Sequence, residues 1–486
     1  MITWGISANS HDAAVAVFDN NSLMFASQTE RFSGIKNDAN IPASMVQYLK
    51  KKYGDPKEVF WYERPLSKTF RQLWAGQGWK WRDNDIRTYL EDRDITANIT
   101  YTDHHLSHAA AAYYTSRFRE CAVLVVDSIG EWDTVSVWKA SDSKLKKVWT
   151  RSYPNSLGLF YSAMTQRVGL KPQEDEYILM GMAAYGDPHR LKDQMYADMF
   201  SNDGVKKNLH RGYANWLFSL NTTQDLFDIA AATQWIYERE FEKLLMIARH
   251  HTGSDNLALA GGCALNCVAN VLAWRQFKDV WIFPNPGDSG SAVGAVLAHK
   301  KKHIKWNHCF WGHNISGNYP VQKALLDLTT TGIVGVANGS AEFGPRALGN
   351  RSLLADPTTL DMKEKVNTIK QRQQFRPFAP VILEELADEY FDLKGKDSRY
   401  MQYAVKCLKP ESIPAALHVD GTCRVQTVPY SNHGLRVLLE EWYELTGCPV
   451  LLNTSLNIKG QPMVNDLWGA KCFEERYNVN VHTYEK

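Results

Sequence analysis

Short apolar runs cut by polar turns open the chain. ITWGIS and AAVAVFD flank ANSHD, and LMFASQTE follows DNNS, which predicts consecutive strands joined by tight turns. CAVLVVDSIGEWDTVSVWKA repeats the pattern with Gly130 in its turn, and VWTRSYP predicts a third strand beside it. Two such units, each followed by helical material, predict a duplicated α/β fold whose turns surround a phosphate-bearing ligand. Backbone amides at glycine turns can hold phosphate oxygens without rearranging side chains. Between residues 195 and 255 the composition turns aromatic and charged, and LFDIAAATQWIYEREFEKLLMIA has the period of an amphipathic helix. NLALAGGCALNCVANVLA then passes from a strand through Gly261 and Gly262 into a helix, whose start suits an anion. VWIFPNPGDSGSAVGAVLAHK repeats that theme, with Asp288 in the loop and a small-residue helix behind it. The basic, aromatic stretch from His299 to Gly317 reads as a surface connection. From about residue 355 onward Arg, Lys and Asn become dense, so the expected domains are 1–354 and 355–486.

Composition narrows the class more than the function. A chain of 486 residues can bury at least two cores, and 44% apolar with 22% charged residues describes a folded protein. A net charge of +2 gives no reason to expect strong attraction to nucleic acid or to a membrane surface. The eight cysteines are scattered and several sit in or beside apolar runs, which reads as reduced core thiols. The first residues lack a basic segment, and no stretch approaches an uninterrupted apolar span, so a cytoplasmic soluble chain is expected. The 16 tryptophans, many in segments such as WAGQGWKW and WLFSL, suit core packing, an interface or stacking on a substrate.

Candidate chemistry starts at DHHLSHAAAAYYTS, Asp103 to Ser116. His104 and His108 stand one helical turn apart, so both rings can reach one metal ion. Ligand contacts and ordinary structural histidines are the other readings, and no HExxH motif supports a zincin. Asp127 ends LVVD and Asp288 lies in NPGDSG, where acids beside glycine suit a metal, a ligand or a capped turn. His11 and Asp12 in the first turn can activate or orient a hydroxyl, or can brace the turn. Farther on, Arg346, Arg351, Lys370, Arg372, Arg376 and Arg424 offer cations for polyphosphate or acyl phosphate, with a solvated face as the alternative. The apolar RPFAP beside them favours an enclosed site. Asn453, Ser455 and Asn457 in LLNTSLNIKG either hold polar ligand groups or make the turns.

Taken in order, SANSHDAAVAV, DHHLSHAAAAYY, VVDSIGEWD, SLGLFYSAMTQRVGL, GMAAYG, LAGGCALNCVAN, NPGDSGSAVGAVLA, EFGPRALGNRSLLADP, QFRPFAP, HVDGTCRVQTV and PVLLNTSLNIKGQP span nearly the whole chain. The set resembles the nodulation- and antibiotic-type O-carbamoyltransferase family. The resemblance implies a duplicated actin-like (ASKHA) N-terminal domain related to the tRNA threonylcarbamoyl-transfer protein. It also implies a smaller α/β C-terminal adenylate-forming domain like the protein that makes threonylcarbamoyl-adenylate. Carbamoyl phosphate and ATP would give carbamoyl-adenylate and pyrophosphate at the second site. The first site would pass the carbamoyl group to a hydroxyl of a small molecule, sugar or nucleoside, releasing AMP.

Matched residue by residue, the resemblance places metal ligands on His104, His108, Asp127 and Asp288, for Fe2+ or another divalent transition metal. It places acceptor chemistry on His11 and Asp12, with His11 as proton acceptor or orienter. Glu131, Gly261, Gly262 and Asn266 fall at the N-terminal nucleotide site. Lys370, Arg372, Arg376, His418, Arg424, Asn453 and Ser455 fall at the C-terminal site for ATP and carbamoyl phosphate, with Mg2+ accompanying ATP. Membrane and nucleic-acid partners are not implied, and a homodimer is compatible. Two positions depart from the family: Ile178 stands where a lysine is usual, and Ser340 near a usual basic residue. An actin-like sugar kinase would not need the second set of cations. A tRNA threonylcarbamoyl-transfer enzyme would call for a partner to make its adenylate, and an inactive scaffold would be free to lose the ligands this chain retains.

Overall fold

Runs of Val, Ala, Ile and Phe with few polar interruptions form strands that are covered on both faces. In the computed structural model, which describes residues 1–431 and 433–484, three antiparallel strands come first: β1 (Ile2–Ser7), β2 (Ala14–Asp19) and β3 (Ser22–Gln28). β4 (Glu58–Trp61) and β5 (Asn98–Tyr101) add in parallel on the other side of β1, giving the order β3-β2-β1-β4-β5. The same plan then repeats. β6 (Glu120–Gly130), β7 (Asp133–Ser141) and β8 (Lys144–Ser152) are antiparallel. A short hairpin, β9 (Phe200–Ser201) and β10 (Gly204–Val205), and the long Thr223–Thr252 helix intervene. β11 (Asn256–Ala260) and β12 (Asp279–Ile282) complete the sheet β12-β11-β6-β7-β8. The expected duplicated actin-like α/β architecture is therefore present, in matching strand order and matching sense.

Two helices occupy the same place in the two repeats. The His104–Thr115 helix follows β5, and the Ser291–Lys300 helix follows β12. They pack on each other through small residues: a Cβ on Gly294 would lie 1.8 Å from the Ser107 carbonyl oxygen. On the sheet side, a Cβ on Gly5 would lie 1.9 Å from the Ala292 carbonyl oxygen. The small-residue helix that the sequence announced is thus a close-packing device.

Two compact units divide the chain, Met1–Ser33 with Asn37–Asn307, and His308–Lys486 with Gly34–Lys36. The division falls at Asn307 and His308, earlier than the 354/355 boundary taken from composition. The physical reason is strand pairing. β13 (Phe310–Ile315) pairs with β15 (Gly339–Glu342), and β14 (Ile333–Ala337) pairs with β16 (Arg351–Ala355). β16 in turn bonds β21 (Val450–Ser455), which bonds β17 (Ala379–Leu383). With β20 (Gln426–Val428) and β22 (Val481–His482) at the edges, the sheet runs β20-β17-β21-β16-β14-β22. β18 (Ala404–Lys406) and β19 (Thr422–Arg424) form a separate hairpin. Leu354, Val381, Leu451, Leu438 and Trp442 are buried together in this unit's own core.

Candidate metal centre and second polar site

The His104–Thr115 helix starts with an extended Asp103 whose side chain makes no capping bond. Its first residue is His104 and one turn later comes His108, both side chains buried. Asp127 lies where β6 leaves its regular pairing with β7, between the Val126 and Gly130 registers, and such an irregularity re-aims side chains. Asp288 opens the short turn ahead of the Ser291–Lys300 helix. These four ligand atoms lie within 4.8 Å of one another. His104 Nε2 is 3.1 Å from His108 Nε2, 3.4 Å from Asp127 Oδ2 and 3.4 Å from Asp288 Oδ1. His108 Nε2 is also 3.4 Å from Asp288 Oδ1.

Two imidazole nitrogens face each other beside two carboxylates, a donor set suited to a cation. Burial opposes a charge on His104, yet the Asp288 and Asp127 carboxylates hold its pKa well above the ordinary imidazole value. Asp288 is likewise held well below the usual carboxylate range, against burial, by His104 and His108. A mixed set of two imidazoles and two carboxylates fits a divalent transition ion, and the donor types do not choose Fe2+ over its neighbours.

The surrounding turns explain the spacing. Gly261 has φ +91°, and a Cβ there would lie 2.1 Å from the Val126 carbonyl oxygen; Gly262 N donates to Asp127 Oδ1 at 3.1 Å. The glycine pair thus lets the β11 turn press against the end of β6. Glu131, with φ +57°, sends Oε1 to accept from Arg64 N at 2.6 Å and His104 N at 3.3 Å. It meets the first N–H of the His104–Thr115 helix from the turn between β6 and β7, and burial pushes its carboxyl up to about 7. His105 turns away, its Nδ1 2.8 Å from Ser136 Oγ, and burial lowers its pKa to about 3. Asn266 forms a reciprocal amide pair with Gln234 and accepts from Ala269 N at 3.1 Å. His11 and Asp12 occupy the β1–β2 turn, with Asp12 at φ +49° and His11 Nε2 buried. Among the described residues no hydrogen bond or ion pair joins His11 to the four-residue cluster.

Sequence reasoning passed over Glu63 and Lys68, which form a buried pair at 2.6 Å (Oε1 to Nζ) next to His104. The only signal was an acid directly after the apolar VFWY run, with a lysine one helical turn into the following segment.

In the second unit Lys370 is buried, donating to the Ser455 carbonyl and hydroxyl and, at 2.6 Å, to Asn457 Oδ1. Burial, with Arg372 and Arg376 adding repulsion, sets its pKa well below the usual lysine value. Arg372 donates to Asn367 Oδ1 at 2.6 Å and lies 4.1 Å over the Phe378 ring, while Asn367 Nδ2 reaches the Arg376 carbonyl at 3.2 Å. The structure therefore brings Lys370, Arg372, Arg376 and Ser455 into one neighbourhood. His418, 3.4 Å from Asp420, and Arg424 sit at the β18–β19 hairpin. Asn453 Nδ2 donates to Ala347 O at 3.1 Å and Gln426 Oε1 at 2.6 Å, so its amide braces the GPRALG loop.

Arg351 differs from its expected reading as a ligand cation. It is fully buried, and its guanidinium donates to the carbonyls of His313, Asn338, Gly339, Asn350 and Asn465. Ile178 is buried apolar packing, and Ser340 faces Asn314 across the antiparallel β13–β15 pair at 3.4 Å. Among the described residues no helix is long and apolar enough to cross a membrane.

Known proteins resemble the chain over most of its length. Residues 83–297 match the family described as carbamoyltransferase N-terminus, and residues 326–483 match the carbamoyltransferase C-terminus. Protein sll1178 of Synechocystis sp. is 33% identical over 95% of this chain and 92% of its own length. Nodulation protein NolNO of Sinorhizobium fredii is 30% identical over 95% of this chain and 76% of its own. Nodulation protein NolO of Bradyrhizobium diazoefficiens is 31% identical over 76% and 75%. Among solved structures, component A of the Acidaminococcus fermentans (R)-2-hydroxyglutaryl-CoA dehydratase aligns at TM-score 0.36 and 12% identity, covering 62% of this chain and 99% of that one. With both family halves matched in order, the chain belongs to the carbamoyltransferases.

Proposed function

We propose that the chain is an ATP-dependent O-carbamoyltransferase with a division of labour between its two units. The observation that carries this reading is the buried His104, His108, Asp127 and Asp288 cluster, which lies in a chain of the carbamoyltransferase family. In the second unit the cations among Lys370, Arg372, Arg376, His418 and Arg424 neutralise ATP and carbamoyl phosphate, and the polar Asn453 and Ser455 orient the nucleophilic oxygen. Mg2+ accompanies the ATP. Atom balance requires water to take up the phosphoryl group of carbamoyl phosphate, leaving carbamate and inorganic phosphate; a carbamate oxygen then bonds the α-phosphorus of ATP as pyrophosphate leaves. The product is carbamoyl-adenylate.

In the first unit an acceptor hydroxyl oxygen attacks the carbamoyl carbon, the bond to the AMP oxygen breaks, and AMP departs. His11 receives or orients the hydroxyl proton, and Asp12 shapes its turn. Gly261 and Gly262 present the turn against which the nucleotide rests, while Glu131 and Asn266 fix the adjoining backbone. His104, His108, Asp127 and Asp288 would hold Fe2+ or another divalent transition ion, which supplies Lewis-acid stabilisation of developing oxygen charge. The test is incubation of the chain with ATP, carbamoyl phosphate, divalent metal and a panel of alcohols. Mass spectrometry then follows carbamoyl-adenylate and carbamoylated acceptor separately. Neither species in metal-replete conditions would remove the reading.

A further inference from the structure

His104 presents Nε2 to the cluster, and its Nδ1 is buried without a hydrogen-bond partner. An imidazole that binds through Nε2 carries its proton on Nδ1, and a buried N–H without an acceptor is unfavourable. The nearest carboxylate oxygen to it is Glu63 Oε2, at 4.0 Å. Glu63 directly follows Tyr62 at the end of β4, and the Tyr62 ring packs 5.2 Å from the His104 ring. Its other oxygen, Oε1, is held at 2.6 Å by Lys68 Nζ, and only 4% of Glu63 and 6% of Lys68 are exposed. Lys68 Nζ also donates to the Asn9 carbonyl at 3.2 Å, in the turn that carries His11 and Asp12. One buried ammonium therefore ties the acceptor-side turn to the outer face of a metal-cluster histidine.

We propose that Glu63 is a positioning residue for His104, accepting a hydrogen bond from Nδ1–H when Nε2 engages a cation, and that Lys68 holds Glu63 in place. The required approach is about 1 Å, from ion-pair range to hydrogen-bond distance. A carboxylate behind a ligating histidine fixes the tautomer and ring orientation and raises the basicity of the ligating nitrogen. The proposal rests on the metal reading of the His104 cluster.

The test uses full-length protein stripped of metal and titrated with Co2+, read by competition with a chromophoric chelator and by the visible d–d spectrum. Wild type should bind Co2+. Glu63→Gln, which keeps an acceptor oxygen, should bind about 10-fold more weakly, and Glu63→Ala up to about 100-fold more weakly, with a changed spectrum. Glu63→Gln combined with Lys68→Met removes the stranded ammonium, so it should fold while keeping the loss of affinity. Wild-type affinity and spectrum in these variants, with only thermal stability altered, would overturn the positioning role alone. Absence of Co2+ binding by wild type would overturn the metal reading and this proposal together.

Discussion

A methyl group at Gly130 would lie 2.4 Å from His104 Cδ2 and 2.6 Å from His105 Cδ2. Both contacts are with ring atoms of buried side chains, so neither ring can swing aside without disturbing the cluster or the His105 to Ser136 bond. Gly130→Ala is therefore expected to leave the far-UV circular dichroism unchanged and to weaken divalent-metal binding by about 10-fold or more, measured by chelator competition. Retained affinity would mean that the rings have room the structure does not show. Residue by residue, the chain was unevenly legible. The one-turn spacing of His104 and His108 declares a shared face because helix geometry alone sets it. Arg351 was opaque, because a guanidinium that meets backbone carbonyls and one that meets phosphate look identical in a string of letters. Glu63 and Lys68 were invisible for a related reason: a buried ion pair has no period.

At the scale of elements, the Thr223–Thr252 helix shows how termini are secured. Thr222 and Asp225 form a capping box, and Arg190 bridges Asp225 at 2.6 Å and Asp228 at 2.7 Å. Thr222→Ala should lower stability by about 1 kcal/mol in urea denaturation. The Thr222 hydroxyl and Arg190 pull the Asp225 carboxyl down to about 2. A depressed carboxyl stabilises the fold above its ordinary value of 3.8, and that contribution disappears as pH falls through about 2. Stability curves of wild type and Asp225→Asn should accordingly run parallel above about pH 5 and converge between about pH 4 and 2. Curves that stay parallel to pH 2 would show that the bridge contributes nothing. Strands were the most legible elements, since runs such as CAVLVVD are apolar on both faces. The unit boundary was not: IVGVA of β14 reads like any strand of the first unit, and only pairing with β16 assigns it to the second.

Across the whole molecule, the proposed division of labour predicts separable failures. His108→Ala should reduce carbamoyl transfer on the order of 100-fold while ATP-dependent adenylate formation continues. Arg424→Ala should reduce adenylate formation on the order of 100-fold. Mass spectrometry of both species in one reaction distinguishes them, and the reverse pattern would exchange the roles of the two units. Chelator treatment should imitate His108→Ala and be reversed by adding back divalent metal.

The repeated sheets have a consequence for any attempt to divide the first unit. The first repeat contributes His104 and His108, from the helix that follows β5. The second contributes Asp127, from β6, and Asp288, from the turn ahead of the matching helix after β12. Neither repeat alone carries the two imidazoles together with the two carboxylates. A fragment holding a single repeat is therefore expected to lose the divalent-metal affinity of the whole chain, because half of the donors are missing from it.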